Sequence, residues 1–279
     1  MLADYHVHTE YSEDSFYPMD DVALDAIRLN LDEVCFTDHV DYGIIVDWDD
    51  PSPKPLSEIG KPRTNVRYET YFPQIESLIE RHANELVIRR GLEFGIQTCT
   101  IGDYERLFST WGNHLDFVIC SIHEIDNLEL WTGEFQRGKT EEEFVLAYYE
   151  ELLSVIERYK DYSVLGHLDA INRYDPDGPI AFERVRDVVA AIFTQAIADG
   201  KGVEVNTSGI RYGQGWYHPT RHFLELYRDL GGWIVTVGSD SHKPEHLGSY
   251  LKQAQRVLKD IGFKGVCTFD RMQPTLVSF

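Results

Sequence analysis

Asp4-Tyr5-His6-Val7-His8-Thr9 is the stretch on which the reading of this chain turns. It closes an expected β-strand running from Leu2 to His8, with apolar Val7 between two imidazoles. Side chains at i and i+2 of a strand leave the same face, so His6 and His8 point together at one spot. Two neutral imidazole nitrogens held side by side are half of a metal site. The plain alternative is two histidines on a solvated strand face, and the rest of the chain decides between the two.

Outward from this strand, Thr9 to Ser15 is polar and loop-like, and Pro18 with Asp20 opens a helix through about Asn30. Leu31 to Thr37 is the second expected strand, ending in Asp38-His39. Residues 41 to 65 are rich in Pro, Gly and Asp. A loop of that length beside a ligand motif is expected to cover a site, as a lid. Apolar spacing then gives a helix from Tyr68 to about Asn84, and Glu85 to Glu93 gives a third strand. A short helix from Asp103 to Trp111 precedes a strand at Asp116 to Ile122, which ends at His123. Helices are expected at Thr140 to Lys160, Ala181 to Asp199, Thr220 to Leu230 and Pro244 to Ile261. Strands between them are expected at Ser163 to His167, Gly202 to Asn206 and Trp233 to Val237.

Strand and helix thus alternate about seven times, the pattern of parallel strands with crossover helices. The regularity that matters is positional. His8, His39, Glu93, His123, His167, Glu204 with Asn206, and Asp240 with His242 all sit where a strand stops and a loop begins. In a closed barrel those ends form one rim, where such barrels carry out chemistry.

Composition narrows the function classes. The chain has 279 residues and a formal net charge of −21, which repels phosphate backbones and argues against a broad nucleic-acid interface. A small phosphorylated substrate remains compatible, provided the site itself is positive. No apolar run approaches the length of a membrane span, and the N-terminus opens in a strand with no basic then apolar leader. Cys35, Cys99, Cys120 and Cys267 lie far apart, as reduced cysteines of a cytoplasmic protein would. The expectation is one domain over residues 1 to 279.

Seven short motifs, in order, resemble those of the PHP (polymerase and histidinol phosphatase) superfamily. They are His6-x-His8, Thr37-Asp38-His39, Gly91-Leu92-Glu93, Ser121-Ile122-His123, Gly166-His167-Leu168-Asp169, the run from Glu204 to Gly209, and Ser239-Asp240-Ser241-His242. The resemblance spans residue 4 to about residue 246. It implies an α/β fold, a distorted seven-stranded (β/α)7 TIM-like barrel, in agreement with the strand count made without it. It also implies three divalent metal ions. His6, His8, Glu93 and Asp240 would hold the first; Glu93 would bridge to a second held by His123 and His167; His39 and His242 would hold the third. Asp14 fits the place of a further ligand to the third ion, the alternative being a capping or solvated carboxylate. Imidazole and carboxylate without thiolate suit Zn, Mn or Fe alike. Their charge would outweigh that of Glu93, Asp14 and Asp240 and leave the bowl positive.

Arg173 and Arg211 stand just beyond the fifth and sixth barrel-end motifs, where the histidinol-phosphate phosphatase branch of the superfamily places phosphate-gripping arginines. The planar guanidinium fork suits bidentate phosphate binding. The implied reaction is hydrolysis of a small phosphomonoester, foremost L-histidinol phosphate, by a metal-bridging hydroxide, with Asp240 or His242 protonating the leaving alkoxide. Departures from the branch concern the substrate. Glu124 follows His123 where relatives carry an aromatic residue, and Glu124 or Asp126 would either hold a substrate ammonium or be solvated. Another small phosphoester is therefore the alternative substrate. An amidohydrolase would bridge its metals with a lysine at the end of the third strand, where Glu93 stands, and a nuclease would need a basic groove. His82, His114, His246 and the pair His218 and His222 are expected to be structural or on the surface.

Overall fold

The computed structural model describes residues 1–174 and 178–279. Seven parallel strands follow one another in sequence and in space: β1 (Ala3–Val7), β2 (Glu33–Phe36), β3 (Val87–Gly95), β4 (Phe117–Ser121), β5 (Val164–Leu165), β6 (Gly202–Asn206) and β7 (Val235–Gly238). The sheet closes on itself where Val7 bridges Ser241, His8 N–H donates to the Ser241 carbonyl at 2.8 Å, and Asp240 N–H donates to that of His6 at 2.8 Å. A helix follows each strand: α1 (Met19–Arg28), α2 (Tyr68–His82), α3 (Ile101–Trp111), α4 (Glu141–Arg158), α5 (Phe182–Ala198), α6 (Arg221–Asp229) and α7 (Leu251–Ile261). The fold is thus a (β/α)7 TIM-like barrel. Among the described residues no helix is long and apolar enough to cross a membrane.

Sequence alternation sorts the strand side chains. Val34, Phe36, Val118 and Cys120 pack outward into the large cluster shared with the helices. Cys35, Phe117, Ile119 and Val164 face inward in a second cluster that fills the lower barrel. Strands buried on both faces read as near-continuous apolar runs, as these do. Local chemistry fixes the helix ends. Thr140 accepts from Glu143 N–H, and Glu143 accepts from Thr140 N–H at 2.7 Å, a reciprocal cap that starts α4.

β1 departs from strict alternation. Its register against β2 slips between Asp4 and Val7, so β1 carries one extra residue there. Such a bulge lets neighbouring side chains turn to the same side. Tyr5 consequently joins the inner cluster, Val7 the outer one, and His6 and His8 reach the inside of the rim.

The structure extends beyond the expected elements at the C-terminus. β8 (Gly265–Asp270) and β9 (Gln273–Ser278) form an antiparallel hairpin that stoppers the barrel at the N-terminal ends of its strands. Cys267 and Phe269 join the inner cluster, and Phe269 N–H donates to Tyr5 Oη at 2.6 Å. Met272 N–H donates to the Asp116 carbonyl at 2.9 Å, just before β4. The turn residues Arg271 and Met272 both have positive φ, without the Asn-Gly or Asp-Gly that normally marks such a turn.

The expected helix from Pro244 to Ile261 is broken. A 3-10 turn at Pro244–His246 is followed by irregular chain to Tyr250, and α7 starts at Leu251. Side chains from other elements capture this backbone: Asp4 accepts from Gly248 N–H at 2.9 Å, and Thr207 donates to the Ser249 carbonyl at 2.7 Å. Residues 41 to 65 form a folded excursion pinned over the β1–α1 loop. Lys61 donates to the carbonyls of Glu10 and Ser15, each at 2.7 Å, and Ser57 to that of Glu13 at 2.7 Å.

If the hairpin is a structural stopper, Phe269→Ala removes a ring that is 2% exposed and should destabilise the fold by about 3–5 kcal/mol in urea unfolding. A loss below about 1 kcal/mol would show that the barrel does not depend on the plug.

Candidate metal centre

Glu93 is the centre of the bowl. It stands near the end of β3, is wholly buried, and has five imidazoles around it. Its Oε2 lies 3.1 Å from His6 Nε2, 3.1 Å from His39 Nδ1 and 3.5 Å from His8 Nε2. Its Oε1 lies 2.9 Å from His167 Nε2 and 3.2 Å from His123 Nε2, and accepts from Ser121 Oγ at 2.7 Å. His39 reaches this place because residues 39 and 40 extend the sheet and pair with Glu93 and Phe94.

Asp240 and His242 close the other side. Asp240 has a φ of 56°, in the left-handed region, which tips its carboxylate inward. Oδ1 lies 3.7 Å from His6 Nε2, 3.6 Å from His8 Nε2 and 3.7 Å from His242 Nδ1. Asp14, from the β1–α1 loop, sets Oδ2 at 3.0 Å from His242 Nε2 and 3.7 Å from His39 Nε2. All nine residues expected as ligands therefore meet in one bowl. Within it, His6, His8 and Asp240, then His6, Glu93 and His167, then His8, His39 and His242 present atoms close enough to share an ion. A fourth such group is His39, Asp41 and His123.

The donor set fits divalent cations on two further observations. First, buried His8 Nε2, His39 Nδ1 and His242 Nε2 have no hydrogen-bond partner, although carboxylate oxygens stand close to each. Lone pairs crowded without hydrogen bonds around shared points are what coordination requires. Second, the opposite nitrogens are held from behind. His6 Nδ1 meets Glu204 Oε1 at 2.6 Å and His123 Nδ1 meets Asp41 Oδ1 at 2.7 Å. His8 Nδ1 meets Ser12 Oγ at 3.1 Å, and Ser12 in turn donates to Asp38 at 2.7 Å. Such partners fix the tautomer and orientation of a ligating imidazole. Both dyad carboxylates are buried, and glycines make room for them: a Cβ on Gly238 would collide with Glu204 and His6, one on Gly95 with Asp41 and His123.

The charges interlock. Burial pushes the Glu93 carboxyl up, but His6, His123 and His39 together hold it well below the usual carboxylate range. Asp240 behaves alike, burial being overcome by His6, His8 and His242. His8 is lowered as well, by burial and then by the neighbouring His242 and His39, which for a histidine means that it stays neutral and able to ligate.

Both expected phosphate arginines flank Asp240. Arg173, in the 3-10 turn Ala170–Tyr174, donates to Ser208 Oγ at 2.8 Å and approaches Asp240 Oδ2 at 3.6 Å. Arg211 ends the short helix Ser208–Arg211 and donates to the carbonyls of Ser239 at 2.7 Å and Asp240 at 2.9 Å. Glu124 is not solvated. It is fully buried, with Oε1 accepting from Gln97 at 3.3 Å, and burial followed by the charge of Asp41 pushes its carboxyl well up. Enclosure rules out the solvated alternative, and Glu124 Oε2 is buried without a hydrogen-bond partner. His218 is a buried structural histidine between Asp169 at 2.6 Å and Gln214 at 2.8 Å, and His222 is exposed. Motif reading did not pair Asp41 with His123, nor Glu204, already among the strand-end candidates, with His6. The alternation Asp-His-Val-Asp at 38 to 41 was the available signal for the first, and the strand-end position of Glu204 for the second.

A parallel barrel with this rim defines a divalent-metal hydrolase of the barrel type. The PHP domain description matches residues 4–208, most of the chain, and the chain belongs to that family. Over 277 residues it is 29% identical to the histidinol-phosphatase of Lactococcus lactis, covering 97% of this chain and 95% of that one. It is 28% identical over 263 residues to the "Probable histidinol-phosphatase" of Thermotoga maritima, covering 94% of each. The crystal structure of the Lactococcus lactis histidinol phosphate phosphatase, complexed with zinc, L-histidinol and phosphate, superposes with a TM-score of 0.85 at 28% identity over 98% of both chains.

Should the rear carboxylates orient their imidazoles, Glu204→Gln and Asp41→Asn should each weaken zinc or manganese binding about 10–100-fold, read by equilibrium dialysis with elemental analysis. Unchanged affinity in both would remove them from the site.

Proposed function

We propose that this chain is a metal-dependent phosphatase that hydrolyses L-histidinol phosphate to L-histidinol and inorganic phosphate, a step of histidine biosynthesis. One observation carries the reading: a ring of imidazoles and carboxylates around buried Glu93, with two anchored arginines beside Asp240. The near full-length likeness to the Lactococcus lactis enzyme, which binds zinc, L-histidinol and phosphate, supports the same substrate here.

In this reading His6, His8, Glu93 and Asp240 hold one divalent ion, Glu93, His123 and His167 a second, and His39, His242 and Asp14 a third. Zinc, manganese and iron all suit the donor set. Bound there, the ions supply Lewis acidity and lower the pKa of water toward neutrality. Arg173 and Arg211 grip the phosphate oxygens. Their forks are already oriented, by Ser208 and by the carbonyls of Ser239 and Asp240, so little entropy is lost on binding. Asp240 or His242, 3.7 Å apart, would take up the proton released by the attacking water and pass it to the leaving alkoxide. The whole chain acts as one catalytic domain. Four unpaired cysteines support a place in the reducing cytoplasm.

Residues 41 to 65 serve as a cover. Ile59 lines a cleft of about 400 Å³ together with Asp14, Phe16 and His242, so the loop reaches the edge of the bowl. Deletion of residues 44–60 is expected to raise KM for L-histidinol phosphate, and an unchanged KM would refute the cover.

Phosphate release by metal-loaded protein tests the function. L-histidinol phosphate should be preferred over other small phosphomonoesters and over a phosphodiester. Arg173→Ala should lower kcat/KM about 10²–10³-fold with metal content retained. Preference for another ester would leave the metal chemistry standing and overturn the substrate.

A further inference from the structure

Tyr212 directly follows the short helix that ends in Arg211, at the mouth of the bowl. The residue is 60% exposed, yet both phosphate-gripping cations face its ring. The guanidinium carbon of Arg211 lies 5.1 Å from the ring centroid and that of Arg173 lies 5.5 Å from it. A tyrosine ring carries a large apolar area and gains by covering it. Here cations hold the ring in place while most of its surface stays open. The chain beyond it leaves space: Gly213 and Gly215 have positive φ, and a Cβ on either would touch nothing.

A phosphate held by Arg173 and Arg211 lies beside this ring, so the alcohol attached to that phosphate must pass close to it. A flat heteroaromatic group on a short aliphatic chain can lie against Tyr212 while its phosphate stays between the arginines. A ringless alcohol cannot cover the same area. We propose that Tyr212 is a specificity-determining residue that stacks on the heteroaromatic ring of the alcohol. The inference rests on the function proposed above and adds the side chain that selects for the ring.

The competing place for the ring is the cleft lined by Asp14, Phe16, Ile59 and His242. Its lining includes neither phosphate-gripping arginine, so a phosphate held by Arg173 and Arg211 lies outside it; its charges, Asp14, Asp21 and Asp25 against Arg28 and Lys243, do not decide between the two places, and Phe16→Ala is included in the test for that reason.

The test measures kcat and KM for L-histidinol phosphate and for O-phosphoethanolamine, an amino-alcohol ester with no ring. Metal-loaded wild type, Tyr212→Phe, Tyr212→Ala and Phe16→Ala are compared, with metal content determined for each. Tyr212→Ala should lower the selectivity for the ring ester about three- to tenfold, through KM, while Tyr212→Phe and Phe16→Ala keep it. Selectivity unchanged in Tyr212→Ala overturns the inference. So does an equal fall for both esters, which would mean that Tyr212 only steadies the arginines, or a fall in Phe16→Ala alone, which would assign the ring to the cleft. A wild-type protein without preference for the ring ester overturns the substrate assignment as well, whereas a preference untouched by Tyr212→Ala overturns this inference only.

Discussion

A carboxylate with no exposed surface has to be compensated, and Glu93 sets that requirement at the centre of the barrel. Its neighbours His6, His39, His123 and His167 come from or just beyond four different strands, and Ser121 from a fifth contact at the end of β4. None of them is near Glu93 in sequence, so the charge is stabilised only when the parallel sheet has closed. The same closure that buries Glu93 assembles the donors for divalent ions. Fold and site are in this sense one construction, and a chain that failed to close would lose both together.

The barrel interior is layered to make this affordable. Below lies the apolar layer of Tyr5, Cys35, Phe117, Ile119 and Val164, stoppered by Cys267 and Phe269 of the hairpin. Above lies the polar rim. The bulge in β1 joins the two layers, since it lets Tyr5 face the lower one while His6 and His8 face the upper. Charged groups clustered in the rim carry a large desolvation cost, which buried ion pairs recover only with good geometry and further hydrogen bonds. Glu204, Asp41, Ser12 and Ser121 supply those bonds. The apolar layer and the helix shell supply the stability that the rim does not.

Much of this was legible in the sequence, because parallel strands in a barrel are apolar runs that end at polar residues, and both signals are local. The seven strands, their crossover helices and eight of the nine convergent imidazole and carboxylate side chains could be read that way; Asp14, in the loop after β1, came only from the resemblance to the PHP superfamily. What escaped reading depends on contacts between distant segments. The break before α7 is imposed by Asp4 and Thr207 on a backbone whose own pattern is helical. The C-terminal hairpin turns at Arg271 and Met272, residues with no turn signature, because the barrel floor holds them. Burial of Glu124 follows from its packing against Gln97 and could not be inferred from its position after a ligand motif. Asp41 and Glu204 were visible as acidic residues, but their pairing with His123 and His6 is a matter of approach across the barrel.

Everything proposed here depends on the bowl around Glu93 binding divalent ions and presenting L-histidinol phosphate to them. The most direct measurement is crystallographic: anomalous scattering at the metal absorption edge, from crystals of the metal-loaded protein soaked with phosphate and L-histidinol. Anomalous peaks are expected where His6, His8, Glu93, His123, His167 and Asp240 converge, with phosphate between those peaks and the guanidinium groups of Arg173 and Arg211. Peaks elsewhere, or a bowl that takes up no metal while the protein still releases phosphate, would contradict this arrangement.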